Sequence, residues 1–291
     1  MINSGWRTLV VDSASELSLR DFCVHIEKDK SIDIPVGQLK NVMITSAKGT
    51  VTAALLNELC RNNVNLIICD ESRTPSCELV SAGHHSANAG MMQIQAGWND
   101  EQKQYAWKRI VEQKIRSQIN LLNMEQIAVP EKLSVFCSSV EMNDVTNREA
   151  QAARMYFSSL FGSGFRRHAP DSINSALNYG YTIIRSSLDR TITAYGYATA
   201  LGINHRSAAN RFNLSCDIME PFRPFVDRIV YRNYDREFNW DYKKELIAVL
   251  LEECSYKGAR LSVENAMEIY FREIAGFLSG RPWTAEGPCF V

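Results

Sequence analysis

A change of hydrophobic period along the 291-residue chain predicts an α+β fold, with a small N-terminal β-rich domain followed by a larger all-α domain. Three observations carry this prediction. Short β-branched runs broken by turn residues fill the first eighty positions. A Gly-, Ser- and His-containing tract then occupies residues 81–97, and beyond it apolar residues recur at helical spacing almost to the end. The length is ample for a buried core.

The spacing predicts strands over residues 7–12 (RTLVVD), 22–27, 32–36, 41–46 and 65–70. One helix, 51–61, interrupts them: after the Lys48-Gly49-Thr50 turn it places Val51, Ala54, Leu55 and Leu59 on one face. Residues 81–98 read as a linker or mobile loop. Helices are expected over 100–123, 146–161, 172–187, 189–201, 221–231, 242–254 and 262–278, giving a helical domain of residues 99–280 after a β-rich domain of residues 1–80. The tail 281–291, RPWTAEGPCFV, has no periodicity and is expected to be disordered. There is no internal repeat and no low-complexity run.

Composition excludes several classes. With 32 basic and 33 acidic residues the chain is not a nonspecific polycation. Its eight cysteines (23, 60, 69, 77, 137, 216, 254, 289) form no CxxC and no zinc-ribbon spacing, so they read as reduced thiols of a cytoplasmic protein. No charged leader with an apolar run opens the sequence, and no stretch has the length of a membrane span. Charge is unevenly placed, however. Residues 141–236 hold twelve Arg and no Lys against nine Asp or Glu, and a planar guanidinium suits bidentate contact with phosphate. For any single Arg, ion pairing between helices is the competing reading.

Residues 205–224, HRSAANRFNLSCDIMEPFRP, crowd one histidine, two carboxylates and three arginines together. His205 follows a helix-ending Leu201-Gly202-Ile203-Asn204. Asp217 and Glu220 are spaced i,i+3, and Pro221 restrains Glu220, so its carboxylate can turn toward a neighbouring helix; helix-start chemistry before Pro221 is the alternative. Glu149 falls within the apolar stripe of Ala153, Tyr156, Phe157 and Leu160, where a carboxylate must be paired or bound. Thr146-Asn147-Arg148-Glu149 also fits a capping box, which would spend Glu149 on its own helix start. Together Glu149, His205 and Glu220, with Asp217 as a weaker member, form a donor set for Mg²⁺ or Mn²⁺ rather than for structural zinc. Such an ion would orient and neutralise a reacting phosphodiester.

The His before F-N-L, the D-I-M-E-P-F-R-P segment and N-R-E-A-Q-A-A-R at 147–154 resemble the CRISPR-associated integrase/endonuclease family, the catalytic subunit of the spacer-acquisition complex. D-S-I-N-S-A-L-N-Y-G-Y at 171–181 is similar as well, and the wording is most like versions from single-effector (type II) systems. The resemblance implies that the helical domain is catalytic, with Glu149, His205 and Glu220 as the metal-dependent set and Asp217 in a varying role. It implies a DNA integrase and endonuclease of CRISPR adaptation that joins 3′-hydroxyl ends of short duplexes to a repeat by transesterification. It further implies a homodimer paired through the β-rich domain and a small ferredoxin-like adaptation subunit bridging two dimers. Other adaptation proteins and the effector nuclease are possible partners. Arg148, Arg166, Arg167, Arg206 and Arg223 are the candidate DNA contacts, with His168 a possible addition.

Two other readings compete. Residues 198–208 match a helix-turn-helix spacing, which would make His205 and Arg206 part of a recognition helix in a regulator without catalysis. A helical scaffold in which every carboxylate is a cap or an ion pair is the third. Adjacent His84 and His85 lie in the inter-domain tract, without helical spacing or a nearby carboxylate, and are expected outside the site.

Overall fold

The computed structural model describes residues 7–13, 15–27, 31–73, 75–79 and 88–291; His84 and His85 lie outside them. These residues fall into two compact units, the first within 1–90 plus 193–197 and the second comprising 91–192 and 198–291.

The first unit contains β1 (Arg7–Val11), β2 (Glu16–Arg20), β3 (Cys23–Glu27), β4 (Ile32–Pro35), β5 (Leu39–Ile44), β6 (Thr50–Val51), α1 (Ala53–Arg61), β7 (Asn65–Cys69) and β8 (Pro75–Leu79). One sheet has the order β1-β5-β7-β8, parallel except for the last pair. The other runs β4-β3-β2-β6. Leu17 and Val24 of the second sheet, Val42 and Ile44 of the first, and Leu55 and Leu59 of α1 share one core. Thr52 caps α1, its hydroxyl accepting from the Leu55 amide. The expected strand over 22–27 starts one residue late, because Asp21 and Phe22 both take positive φ and make the tight turn from β2 to β3. β2 (ELSLR) and β8 (PSCEL) escaped the sequence reading although both alternate, because each is only five residues long and offers two or three apolar positions.

The second unit is mostly helical: α2 (Asn88–Ala96) apart from residues 88–90, α3 (Asp100–Met124), α4 (Glu131–Ser138), α5 (Arg148–Phe161), α6 (Ser172–Ala194) apart from residues 193–194, α7 (Asn213–Ile218), α8 (Arg223–Arg232), α9 (Trp240–Ile247) and α10 (Val263–Leu278). β9 (Glu253–Tyr256), β10 (Ala259–Ser262) and β11 (Cys289–Phe290) form a small sheet. α3 is the axis of the unit, packing on α4, α5, α7, α8, α10 and β11. Asn99 caps it, its side chain accepting from the Glu101 and Gln102 amides.

Several expectations are corrected here. The tract expected as a linker carries α2 over its later residues. The two helices expected over 172–187 and 189–201 are one helix, α6, ending at Ala194. Asp189 looks like a cap between them, but its carboxylate accepts from Ser215 and from Arg185 one turn back, so it leaves the helix intact. Residues 195–212 contain no regular helix, which removes the helix-turn-helix reading. The helix expected to reach 254 gives way after α9 to a 3₁₀ turn and β9, which pairs with β10 across Lys257-Gly258, both at positive φ. The tail is ordered: β11 pairs with β9, the Phe290 ring lies 4.3 Å from that of Phe225, and Trp283 packs edge-on against Tyr105 and Phe277. Aperiodic residues can be fixed by aromatic contacts that no helical or strand period records. The eight cysteines are free thiols, and among the described residues no helix is long and apolar enough to cross a membrane.

Candidate active site

Glu149 lies in the first turn of α5, and the capping box expected there does not form. Asp144 takes that role: its two carboxylate oxygens accept from the Arg148 amide at 2.8 Å and the Glu149 amide at 3.0 Å. The Glu149 side chain is thereby released, and its Oε1 pairs with Nζ of Lys114 at 2.7 Å. Glu220 sits in a 3₁₀ turn between α7 and α8, where Pro221 and Pro224 break the helix. It is almost fully buried, and Lys114 Nζ lies 2.5 Å from its Oε2. Beyond this ion pair the buried Oε2 has no other partner among the described residues, and so keeps unused acceptor capacity. Arg223 holds the other oxygen at 3.1 Å. One ammonium therefore joins two carboxylates from separate segments.

His205 is placed by Asp217. The fully buried Asp217 Oδ1 contacts His205 Nδ1 at 2.6 Å and accepts from the His205 amide at 3.2 Å; Oδ2 accepts from the Ile203 and Asn204 amides at 2.6 and 3.1 Å. Gly202 is required by this close approach, since a Cβ there would lie 2.3 Å from the His205 carbonyl and 2.8 Å from Asp217 Oδ2. Asn213 donates to the Ala200 and Ser207 carbonyls and clamps the loop from its other side. The Trp107 ring of α3 packs edge-on against the imidazole at 5.7 Å. With Nδ1 committed to a carboxylate, Nε2 is left as the nitrogen that can bind or exchange a proton.

The charges are mutually supporting. Donation from the His205 imidazole to Asp217 raises the His205 pKa against the effect of burial, and the charges of Glu220 and Glu149 add to it. Burial pushes Asp217 up, opposed by His205. Burial also acts to raise Glu220, but Arg223 and Lys114 overcome it and hold the carboxyl below its usual range. Lys114 loses to burial and gains more from Glu220 and Glu149, so it stays cationic.

The predicted residues thus converge in part. Glu149 and Glu220 share a cation, with oxygens no more than 5.2 Å apart, the sum of their 2.7 and 2.5 Å contacts to Lys114. His205 lies within electrostatic reach of both, and Asp217 is used up in orienting it. Among the described residues no three His, Cys, Asp or Glu side chains stand close enough to hold a metal ion as they are. In chemistry the set nonetheless fits a hard divalent ion: two carboxylates already drawn onto a cation, a buried Glu220 oxygen with spare acceptor capacity, and an oriented imidazole.

The candidate phosphate ligands divide into two groups. Arg206 pairs with Asp100 and Arg223 with Glu220. Arg148, Arg166 and Arg167 instead bond to neutral groups: Arg148 to Gln151 and the face of Phe136, Arg166 to backbone carbonyls, and Arg167 to Asn174, Asn178 and the face of Tyr181. His168 is exposed nearby. A cavity of about 610 Å³ runs along His205, with Lys103, Arg206 and Arg211 on its wall.

Sequence reasoning missed Lys114, Trp107 and Asp144. Lys114 did leave a signal, as a charged residue within the apolar stripe of Trp107, Ile110, Val111 and Leu121 on α3. Asp144 left none, because a cap reaching across an irregular turn with residues at positive φ has no fixed spacing.

The architecture and site are those of an α+β protein whose helical part draws two carboxylates onto one buried lysine and braces an imidazole with a buried aspartate. The family model for CRISPR associated protein Cas1 matches residues 9–259, and the chain belongs to that family. It is 31% identical over 282 residues to the CRISPR-associated endonuclease Cas1 of Neisseria meningitidis serogroup C, covering 94% of this chain and 92% of that protein. In fold it is similar to a casposase bound to integration product (TM-score 0.80, 16% identity, 97% and 93% of the two chains). It is also similar in fold to a Cas1 protein from Thermotoga maritima (TM-score 0.77, 16% identity, 96% and 100%).

Proposed function

We propose that the chain is a metal-dependent DNA endonuclease and integrase of CRISPR adaptation, which joins the 3′-hydroxyl ends of short DNA fragments into a repeat array by transesterification. The observation that carries this reading is the meeting of Glu149 and Glu220 on one cation beside an Asp217-oriented His205. The relative in Neisseria is named an endonuclease and the casposase is bound to an integration product, which supports the same chemistry.

In the reaction a DNA 3′-hydroxyl oxygen bonds to a target phosphorus, the bond from that phosphorus to the target's own 3′ oxygen breaks, and the hydroxyl proton passes to the leaving oxygen or solvent. Glu149, Glu220 and His205 would hold Mg²⁺ or Mn²⁺, which supplies Lewis acidity toward the phosphoryl oxygens. Asp217 fixes the imidazole with Nε2 free and acts as an orienting group rather than a ligand. Arg148, Arg166 and Arg167, which carry neutral partners, are the stronger candidates for phosphate contact, and Arg206 and Arg223 would have to share their charge with Asp100 and Glu220. Double-stranded fragments and repeat DNA are the substrates. A homodimer and a small ferredoxin-like subunit complete the proposed assembly, in the manner of single-effector systems.

Glu149→Gln and Glu220→Gln should each reduce Mn²⁺-dependent strand joining by about 10³-fold or more while leaving duplex binding within a few-fold of wild type. EDTA should do the same to the unmodified protein. Joining that persists in EDTA or in either variant would sink the reading.

A further inference from the structure

We propose that Lys114 is a positioning residue that competes with the divalent ion for the Glu149 and Glu220 carboxylates and so sets the metal affinity of the site. The inference rests on the reading that these two side chains are metal ligands.

Three observations lead to it. First, Lys114 stands where α3 otherwise presents Trp107, Ile110, Val111 and Leu121 to the core, and its side chain is only 9% exposed. Burying an ammonium is costly unless it is paired, so a residue of this kind at a stripe position needs a compensating partner, and it has two. Second, Lys114 reaches the oxygens an ion would draw on, Oε1 of Glu149 and the incompletely satisfied Oε2 of Glu220. Third, the other cation, Arg223, is held elsewhere. It takes Oε1 of Glu220, and its guanidinium carbon lies over the Tyr181 ring, 4.6 Å from the ring centre.

The two carboxylate charges are thus already balanced by two cations. A dication entering the site meets like charge from Lys114 at contact range, in a region where burial limits screening. Of the two cations, Lys114 is the one able to yield, because its ammonium is a single point charge on a flexible four-carbon stem. Lys114 keeps the two carboxylates paired and makes ion binding an exchange rather than a simple addition.

The test uses the full chain and Mn²⁺ alone, titrated by calorimetry and by the electron paramagnetic resonance signal of free Mn²⁺. Lys114→Gln and Lys114→Met, which remove the competing charge, should bind Mn²⁺ about tenfold more tightly than wild type and show a larger Mn²⁺-induced rise in Tm. Lys114→Arg, which keeps the charge, should stay near wild type, and adding Glu149→Gln to Lys114→Gln should abolish the gain. Equal or weaker Mn²⁺ binding by the folded Gln and Met variants overturns the proposal while leaving the metal reading intact. If neither variant folds, Lys114 is a purely structural residue and the proposal is overturned. Absence of Mn²⁺ binding by wild type and both variants overturns the metal reading and the proposal with it.

Discussion

Asp227 is a carboxyl group held between two tyrosine hydroxyls. It is fully buried on α8, accepts from the Tyr156 hydroxyl at 2.8 Å and from Tyr181, and Tyr181 in turn lies against Arg167 and Arg223. Burial pushes its pKa from 3.8 up to about 6, the two tyrosines only partly offsetting it. A raised folded value means that the folded protein holds the proton more tightly than the unfolded chain. The stabilisation from this group is therefore complete below about pH 3.8 and is lost as pH rises through about 6. Asp227→Asn has no such titration, so relative to wild type it should be more favourable at pH 8 than at pH 5 by about 1 kcal/mol. Urea unfolding of both proteins at the two pH values checks this, and a pH-independent difference would mean that Asp227 stays charged throughout. No local pattern marks Asp227, which sits 71 residues from Tyr156.

Helix boundaries tell a similar story about how local rules are overridden. The start of α5 rests on Asp144, so Asp144→Ala should cost about 1–2 kcal/mol in denaturant unfolding, whereas Thr146→Ala, at the expected cap position, should cost less than about 0.5. The middle of α6 is set by contact. A Cβ at Gly180 would lie 2.3 Å from Val226 Cγ1 of α8 and 3.2 Å from Leu246 Cδ2 of α9. Gly180→Ala should therefore lower stability by about 1–3 kcal/mol, although alanine is the better helix former by about 1 kcal/mol. Val226→Ala in the same chain should recover part of the loss, and a stabilised single variant would show that α8 can shift away.

For the whole molecule, the acidic and basic totals nearly cancel, and function depends on where the charge goes. Seven of the twelve arginines in residues 141–236, namely Arg185, Arg190, Arg206, Arg223, Arg228, Arg232 and Arg236, make ion pairs with carboxylates. Ion pairing thus accounts for most of the twelve, although Arg185–Asp189 and Arg223–Glu220 are pairs within one segment rather than between helices. Arg166 and Arg167 contact neutral groups instead. On the proposed function, reversing both to Glu should weaken duplex binding and flatten its log–log salt dependence by about two units, one per phosphate contact. Unchanged affinity and slope would assign the pair to the fold alone.

The order of a β-rich region followed by a helical one could be read directly, because each rests on a period of two or of 3.6 residues contained within a few turns of chain. Glu149, His205, Asp217 and Glu220 were singled out by a break in such a period or by a local motif, and it was the family resemblance that joined them into one candidate set. The tertiary structure decided what each of them does. Asp144 releases Glu149 from its expected cap, Asp217 is turned into a brace for His205, and Lys114, 35 residues from Glu149, supplies the cation on which the two glutamates meet. Those outcomes depend on groups brought together across the packed helices, where burial makes every charge seek a partner and distance along the chain gives no indication of which one it finds.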